Sequence, residues 1–448
     1  MAKTFKGGIH VPGTKNTRNL PITEFPAPKT VSIPMQQHIG APAAPLVAKG
    51  DHVCIGQVIG RNDSGLSCPV HASISGTVKD IEMRPSYTGY GKTAHIIIEN
   101  DFQNEISDTV KPCPHSLDEA PPEEIIDIVK NAGIAGMGGA AFPTYAKIAS
   151  AIGKAQTLIV NCAECEPYIT ANHRLMLEEP ERILGGTAVL LKALGLDRAI
   201  LALEDNKMDA AAVFAEKIAG DSRFEVVLLK TKYPQGDERQ LMYALKGVEL
   251  PAGKLPADMG CVIFNAETCA SIHTAFTTGM PLVRRVVTVD GDAITEPKNL
   301  RVPIGTTLEE VFDFCGGVKD NVARIINGGP MMGNAQWDYR AVIMKSTSAL
   351  LVLSDEKVTD KAATAACIHC GKCVSVCPMH LMPNYLAAFS KADNDEMCER
   401  FGILSCVECG CCTYTCPARV PIVQHIRNKK AQILAMRKKM AAAAAAKM

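Results

Sequence analysis

Four rhythms of apolar and polar residues follow one another along the chain. From about Val31 to Asn100, short β-rich runs alternate with turns: LVAKGDHVCIGQVIG, CPVHASISGTVKDIEM and AHIIIEN. Such alternation, bounded by glycine, proline and polar residues, predicts strands. Residues 101–120 read as a linker. Pro121 and Pro122, then Glu123 and Glu124, predict a helix start, because proline and acidic residues both suit a first turn. Beyond it, the apolar runs TLIVNCA, RAILALE and FEVVLLK alternate with helical patterns such as ERILGGTAVLLKALG and MDAAAVFAEKIAG. Strands separated by helices of that length predict a parallel α/β sheet. PLVRRVVTVDG, TTLEEVFDFCGG and ARIINGGPMMG predict a small mixed fold, two or three strands on one helix. The remainder reads as helical. Residues 1–30, rich in proline, glycine and threonine, predict an extended lead-in.

Composition changes the picture in three ways. Over 448 residues the 47 basic and 47 acidic side chains balance, so bulk charge implies no nucleic-acid partner. The balance hides an asymmetry: no acid follows Glu408, whereas Arg419, Arg427, Lys429, Lys430, Arg437, Lys438, Lys439 and Lys447 are basic. Eighteen cysteines behind an N-terminus without an apolar signal core point to a reducing cytoplasm. No apolar run of about 18 residues occurs, so no membrane span is expected.

Chemistry concentrates between Cys367 and Pro417. Cys367, Cys370, Cys373 and Cys377 follow the spacing C-x2-C-x2-C-x3-C-P, and Cys406, Cys409, Cys412 and Cys416 repeat it. This is the pattern of bacterial ferredoxins with two [4Fe–4S] clusters, in which the fourth cysteine of each run ligates the other cluster. One cluster is therefore expected on Cys367, Cys370, Cys373 and Cys416, and the other on Cys406, Cys409, Cys412 and Cys377. Structural zinc more commonly uses paired C-x2-C without a third cysteine or a trailing proline. Cys411 falls off the spacing and reads as a bystander.

A second feature is the glycine run Gly133, Gly136, Gly138 and Gly139, followed by Phe142 and Lys147. Glycines let backbone approach a ligand and turn N–H groups toward phosphate. Taken alone, the run serves a structural turn equally well. Its neighbours add chemistry: GMGGAAFPTYAK, NCAECEP and VIFNAETCA resemble the flavin-site motifs of the NADH-binding subunit of respiratory complex I. The stretch V-x-K-G-D-x-V-x-x-G-Q-x-I followed by A-S-x-S-G-x-V resembles the barrel-sandwich hairpins of biotinyl and lipoyl domains. Its tip, His71 to Gly76, has no lysine, so no covalent cofactor is expected, and His71 and Cys68 read as ordinary loop residues. The ordered set resembles the C subunits of the Rnf electron-transport complex over essentially the whole chain.

The resemblance implies a multidomain α/β protein: a barrel-sandwich hybrid domain over 1–110, a complex I-like flavin domain over 111–280, a small β-grasp (SLBB-like) domain over 281–350 and an α-helical two-cluster domain over 351–448. It implies non-covalent FMN near Gly136, Gly138, Gly139, Lys147, Asn161, Glu164, Gly236, Asp237, Glu238 and Asn265. It places Phe142 on the nicotinamide dinucleotide and Glu166 near the nicotinamide. Met137, Ala163 and Cys165 depart from that family's arginine, aspartate and glycine, which leaves the NADH pose open. Hydride chemistry delivers electrons in pairs and cubanes take them singly, so a flavin fits between them.

The implied role is electron exchange between NAD(H) and the clusters in a membrane complex that moves Na+ or H+ through other subunits. Implied partners are a ferredoxin-like subunit, integral membrane subunits and, indirectly, ferredoxin, with this chain peripheral on the cytoplasmic face. Two other readings are a flavin and iron–sulfur corrin reductase of microcompartments and a relay subunit with a dead flavin site. The flavin loop of the corrin reductase lies near its N-terminus, unlike here. The basic tail after Pro421 reads equally as a solvated helix or as a separable contact for anionic lipid or an acidic partner.

Overall fold

The computed structural model describes residues 2–86, 91–251, 253–358 and 364–445. The strands Thr30–Pro34, Lys92–Asn100, Gly76–Pro85 and His52–Val53 form an antiparallel sheet in that order. A second sheet of Ala44–Pro45, Val58–Arg61 and Val70–His71 faces it. Alternate residues Val31, Ile33, Ile96 and Ile98 point inward and are fully buried, the outcome that period-two patterning dictates.

The central sheet is parallel throughout, in the order Phe224–Leu229, Ala199–Glu204, Thr157–Asn161, Cys261–Asn265. Chain order reverses at Thr157–Asn161, between Ala199–Glu204 and Cys261–Asn265. In such sheets ligands bind beyond the carboxyl ends of the strands at this switch.

The third sheet is larger than the patterning suggests. It runs Ile22–Glu24, Lys298–Pro303, Arg284–Asp290, Ala349–Ser354, Val322–Asn327, Asn334–Gln336, with the helix Leu308–Phe314 packed into its core. The N-terminal residues supply its edge strand. They also bridge Lys3 to Leu229 and Ile9 to Tyr233, so the lead-in laces three domains together. Period counting misses this strand because at three residues it carries no alternation to count.

Two buried ionic rivets hold the central domain to its neighbours. Arg285 of the third sheet donates to Glu267 at 2.8 and 3.0 Å. Lys345 donates to the carbonyls of Pro69 and Gly133 at 2.7 and 2.6 Å, joining three domains at the base of the glycine run. His71 and Cys68 are buried at this junction, with the Cys68 thiol 3.7 Å from the carbonyl of Ile134. The hairpin tip is a wedge under the glycine loop, not an ordinary loop.

The C-terminal domain is helical: Lys372–Ser375, Pro383–Lys391, Asp395–Arg400, Cys411–Tyr414 and the long Ile422–Ala445. Ile422, Ile426 and Ile433 of the last helix are buried in the same core as Cys373 and Cys412. Four of its bases are paired within the chain: Lys429 with Asp393 and Asp395, Arg427 and Lys430 with Glu408, and Arg437 with Glu399. The expectation of a separable tail after Pro421 is thereby corrected. Isoleucines four and seven apart form an apolar stripe that the cluster domain needs for its own core.

Candidate functional site

Asn161 and Asn265 end adjacent parallel strands and stand in register. Asn265 accepts from the N–H of Glu267 at 2.9 Å and so caps the helix Ala266–Thr278. Asn161 donates to the carbonyl of Gly236 at 2.8 Å and accepts from the N–H of Ala163 at 3.1 Å, tying two loops over the sheet edge.

The glycine run forms a closed turn on these strands. Gly136 donates to the carbonyl of Phe142 at 2.8 Å, and Thr144 to that of Ile134 at 3.0 Å. A side chain at Gly138 would begin 3.3 Å from Cβ of Asn265, and Gly139 adopts a φ of 143°, which favours glycine. The Phe142 ring is 37% exposed at the tip. Lys147 pairs with Glu238 and lies over the Phe264 ring.

Several expected ligand residues are engaged elsewhere. Glu164 accepts from the N–H groups of Asn172 and His173 at 2.9 and 3.3 Å, capping the helix Ala171–Glu178. Asp237 accepts from Arg239 and Gln240 at 3.0 and 3.2 Å, capping Glu238–Lys246, and burial pushes its carboxyl up. Gly236 is held between Asn161 and the Cys165 sulfur. Glu166 accepts from the N–H groups of Met331 and Met332 at 3.1 and 2.9 Å and packs on Gly329 of the β-grasp domain. Burial pushes it up to about 7. These two bonds tie the Glu166 carboxylate to the β-grasp domain.

The three departures from the complex I pattern pack into the protein interior. Met137 is buried on the helix Ala266–Thr278, with its N–H on the Thr268 hydroxyl at 3.1 Å. Ala163 joins the core with Ala202 and Leu241. Cys165 packs with Tyr233 and Cys409. None of the three crowds the loop.

Two residues of the site escape motif reading. Lys15 donates to the carbonyls of Glu164, Glu166 and Ile169 at 2.9, 2.8 and 2.5 Å, holding the NCAECEP loop from the far end of the chain. Gln235 is fully buried beside Gly236, and neither its amide nitrogen nor its oxygen has a partner among the described residues. The glycine cradle at a sheet switch, open at Gly139, fits a bound planar cofactor with polar edges. Gln235 carries no recognisable spacing, so only packing reveals it.

The cysteines gather in the crossed arrangement. One cavity is lined by Cys377, Cys406, Cys409 and Cys412, and another by Cys367, Cys370, Cys373 and Cys416. The loops repeat each other residue for residue: His369 and Glu408, then Gly371 and Gly410, all take positive φ. This coil turns N–H groups toward sulfur, as with Glu408 on Cys406 and Leu381 on Cys377, both at 3.4 Å. Thiolate sets enclosing two such cavities fit two cubanes. The cavities differ in surroundings. Cys367 and Cys370 are exposed, whereas the Cys377 cavity backs onto the Tyr233–Glu238 loop. Cys411 lines the same cavity off the motif spacing, its thiol within 3.9 Å of the Tyr233 carbonyl and beside the Cys409 sulfur.

Comparison with known proteins matches this order. Residues 3–103 match the family model of the RnfC barrel sandwich hybrid domain, 129–274 the Nuo51 FMN-binding domain, 286–335 the SLBB domain and 331–382 a 4Fe-4S dicluster domain. The chain is 44% identical over 97% of its length to the C subunit of the Na(+)-translocating ferredoxin:NAD(+) oxidoreductase complex of Acetobacterium woodii, covering 98% of that protein. It is 44% identical over 96% of its length to the proton-translocating counterpart of Clostridium ljungdahlii, covering 94% of it. To the C subunit of the ion-translocating oxidoreductase complex of Pseudomonas aeruginosa it is 39% identical over 97% of its length, covering 56% of that longer chain. The chain belongs to the family of C subunits of ion-translocating ferredoxin:NAD+ oxidoreductase, or Rnf, complexes.

Proposed function

We propose that this chain is the electron-exchanging C subunit of an Rnf complex, an oxidoreductase component working between NAD(H) and two [4Fe–4S] clusters through FMN. One observation supports it above the rest. The loop that closes the flavin-side site, Tyr233 to Glu238, is bonded directly to the backbone of the Cys377, Cys406, Cys409 and Cys412 cavity. When bound, FMN supplies the change from paired to single electrons that neither NAD(H) nor a cubane makes alone.

The residues divide the remaining work. Gly136, Gly138 and Gly139 keep the backbone open for close approach, and Asn161 and Asn265 fix the two loops that flank it. Lys147 is the cation available for phosphate, in exchange for Glu238. The exposed Phe142 ring offers its face to the nicotinamide dinucleotide. Glu166 locks the β-grasp domain to the NCAECEP loop and is given a positioning role.

The second cavity faces outward. Among the described residues its lining carries Lys372, Lys391, His369 and His425 and no acid. That surface suits an acidic ferredoxin-like subunit delivering electrons at Cys367 and Cys370. Among the described residues no helix is long and apolar enough to cross a membrane. Attachment to integral membrane subunits at the cytoplasmic face is part of the same proposal. The two relatives of equal identity are named for different ions, so likeness in this subunit does not track the coupling ion. No observation favours the corrin-reductase or dead-relay readings.

The test is anaerobic purification with metal, flavin and activity analysis. About eight irons and one FMN per chain, with NADH oxidation by an artificial acceptor, are expected. About four irons, or no flavin, would contradict the reading.

A further inference from the structure

The barrel-sandwich domain carries a group of metal-binding side chains that electron exchange does not use. His52 and Cys54 lie two residues apart around the end of the strand His52–Val53, so they share one face while Val53 points into the core. The linker runs alongside. Ile55 donates to the carbonyl of Glu105 at 2.8 Å, Ser107 donates to that of Ile55 at 2.9 Å, and Ile55 pairs with Ile106. This short ladder brings Glu105 up to the same face. One ligand atom from each of His52, Cys54 and Glu105 lies within 4.8 Å of the others.

A carboxylate stands behind the histidine. Nε2 of His52 is 2.8 Å from Oδ2 of Asp101. The other oxygen of Asp101 accepts from the Ser75 hydroxyl at 2.6 Å and from the N–H of Gln103 at 2.9 Å. A carboxylate anchored in this way orients the ring, as outer-shell carboxylates do behind histidine ligands of zinc. The local field favours a cation as well. The carboxylates of Glu105, Asp101 and Asp108 cluster around Cys54, and a bound cation would offset that gathering of negative charge.

We propose that His52, Cys54 and Glu105 bind a zinc ion that pins the linker to the barrel-sandwich domain. Thiolate, imidazole and carboxylate together suit Zn2+ over hard cations such as Mg2+ or Ca2+. The fourth tetrahedral position faces solvent, since His52 and Glu105 are exposed, and water fills it. Binding releases the Cys54 proton to solvent, and no electron moves. A second trio, Cys113, His115 and Glu124, lies nearby in sequence. There the carboxylate on the His115 ring is Glu124, a member of the trio itself, whereas His52 is held by Asp101 from outside its trio.

The test uses full-length protein with its clusters loaded, so that the eight motif cysteines are occupied. The protein is mixed with zinc chloride in excess Mg2+, desalted and analysed for zinc and iron. One zinc per chain is expected, with X-ray absorption showing one sulfur at about 2.3 Å among lighter ligands. Cys54→Ser or His52→Ala should abolish the uptake with iron unchanged, and Asp101→Asn should weaken it about 10- to 100-fold. Zinc should also slow alkylation of Cys54 in the unaltered protein, a readout that needs no variant. Unchanged uptake in Cys54→Ser, loss of uptake in His115→Ala instead, or a Cys54 alkylation rate indifferent to zinc would each overturn the site. None of these results depends on flavin or NADH, so failure here is separable from failure of the proposed function.

Discussion

The Tyr233 hydroxyl donates to the Cys409 carbonyl at 2.8 Å. This bond joins the flavin-side loop to a cluster loop with both groups buried. Tyr233→Phe should remove on the order of 1 kcal/mol of junction stability. Iron content should stay the same, while the midpoint potential of the Cys377, Cys406, Cys409 and Cys412 cluster shifts and the other does not. Redox titration followed by paramagnetic resonance checks this. Equal shifts at both clusters would remove the junction from this place.

Cys377→Ala should damage the cluster whose other ligands are Cys406, Cys409 and Cys412, despite the closeness of Cys377 to Cys373 in sequence. The shared cavity motivates it. Spectroscopy that found only the Cys367, Cys370 and Cys373 cluster lost would contradict the crossed assignment.

Phe142→Ala should weaken NADH binding and leave FMN bound, because the ring is exposed at the loop tip while the loop backbone carries the cradle. Loss of an aromatic face costs about 1 kcal/mol or more beyond its area. Loss of FMN with unchanged NADH affinity would place the ring on the wrong ligand.

Glu166 gives a pH-dependent stability. Its folded value of about 7 lies above the ordinary carboxyl value of 4.5, so the folded state holds the proton more tightly than the unfolded chain. Stability from this group therefore falls as pH rises from about 4.5 to about 7 and is level beyond. Glu166→Gln removes that fall. Thermal unfolding of variant and parent at pH 5 and pH 8 should show the variant gaining on the parent at the higher pH. A constant difference would mean that Glu166 titrates normally.

Truncation of the last helix should have two outcomes. Ending the chain after Met436 removes, among the described side chains, only exposed or paired ones, and should leave iron content unchanged. Ending it after Gln424 removes Ile426, Ile433 and the Lys430 bond to the Cys406 carbonyl at 2.7 Å. That shorter chain should lose iron or fail to fold. Equal iron in both would return the tail to the status of a separable appendage.

The cysteine spacing was legible because a cubane demands a fixed local wrap: two residues between ligands, then a proline stop. Parallel strands were legible because burial on both faces leaves continuous apolar runs such as TLIVNCA. The glycine loop, with Asn161 and Asn265 behind it, was legible as a family motif, and the structure does place those three together.

What motif reading could not decide was where each carboxylate and cation spends itself. Glu164, Asp237 and Glu166 have the right identities for ligand contacts, yet each meets backbone N–H groups supplied by helix starts or by another domain. Lys15 and Gln235 matter to the site through partners some 150 residues away or through the lack of any. The tail looks like a free basic helix until its lysines find Asp393, Asp395 and Glu408. Spacing along the chain encodes chemistry that is local, such as a cluster wrap or a strand. Hydrogen bonds and ion pairs between distant segments depend on which surfaces the packed domains bring together, and only the tertiary structure decides that.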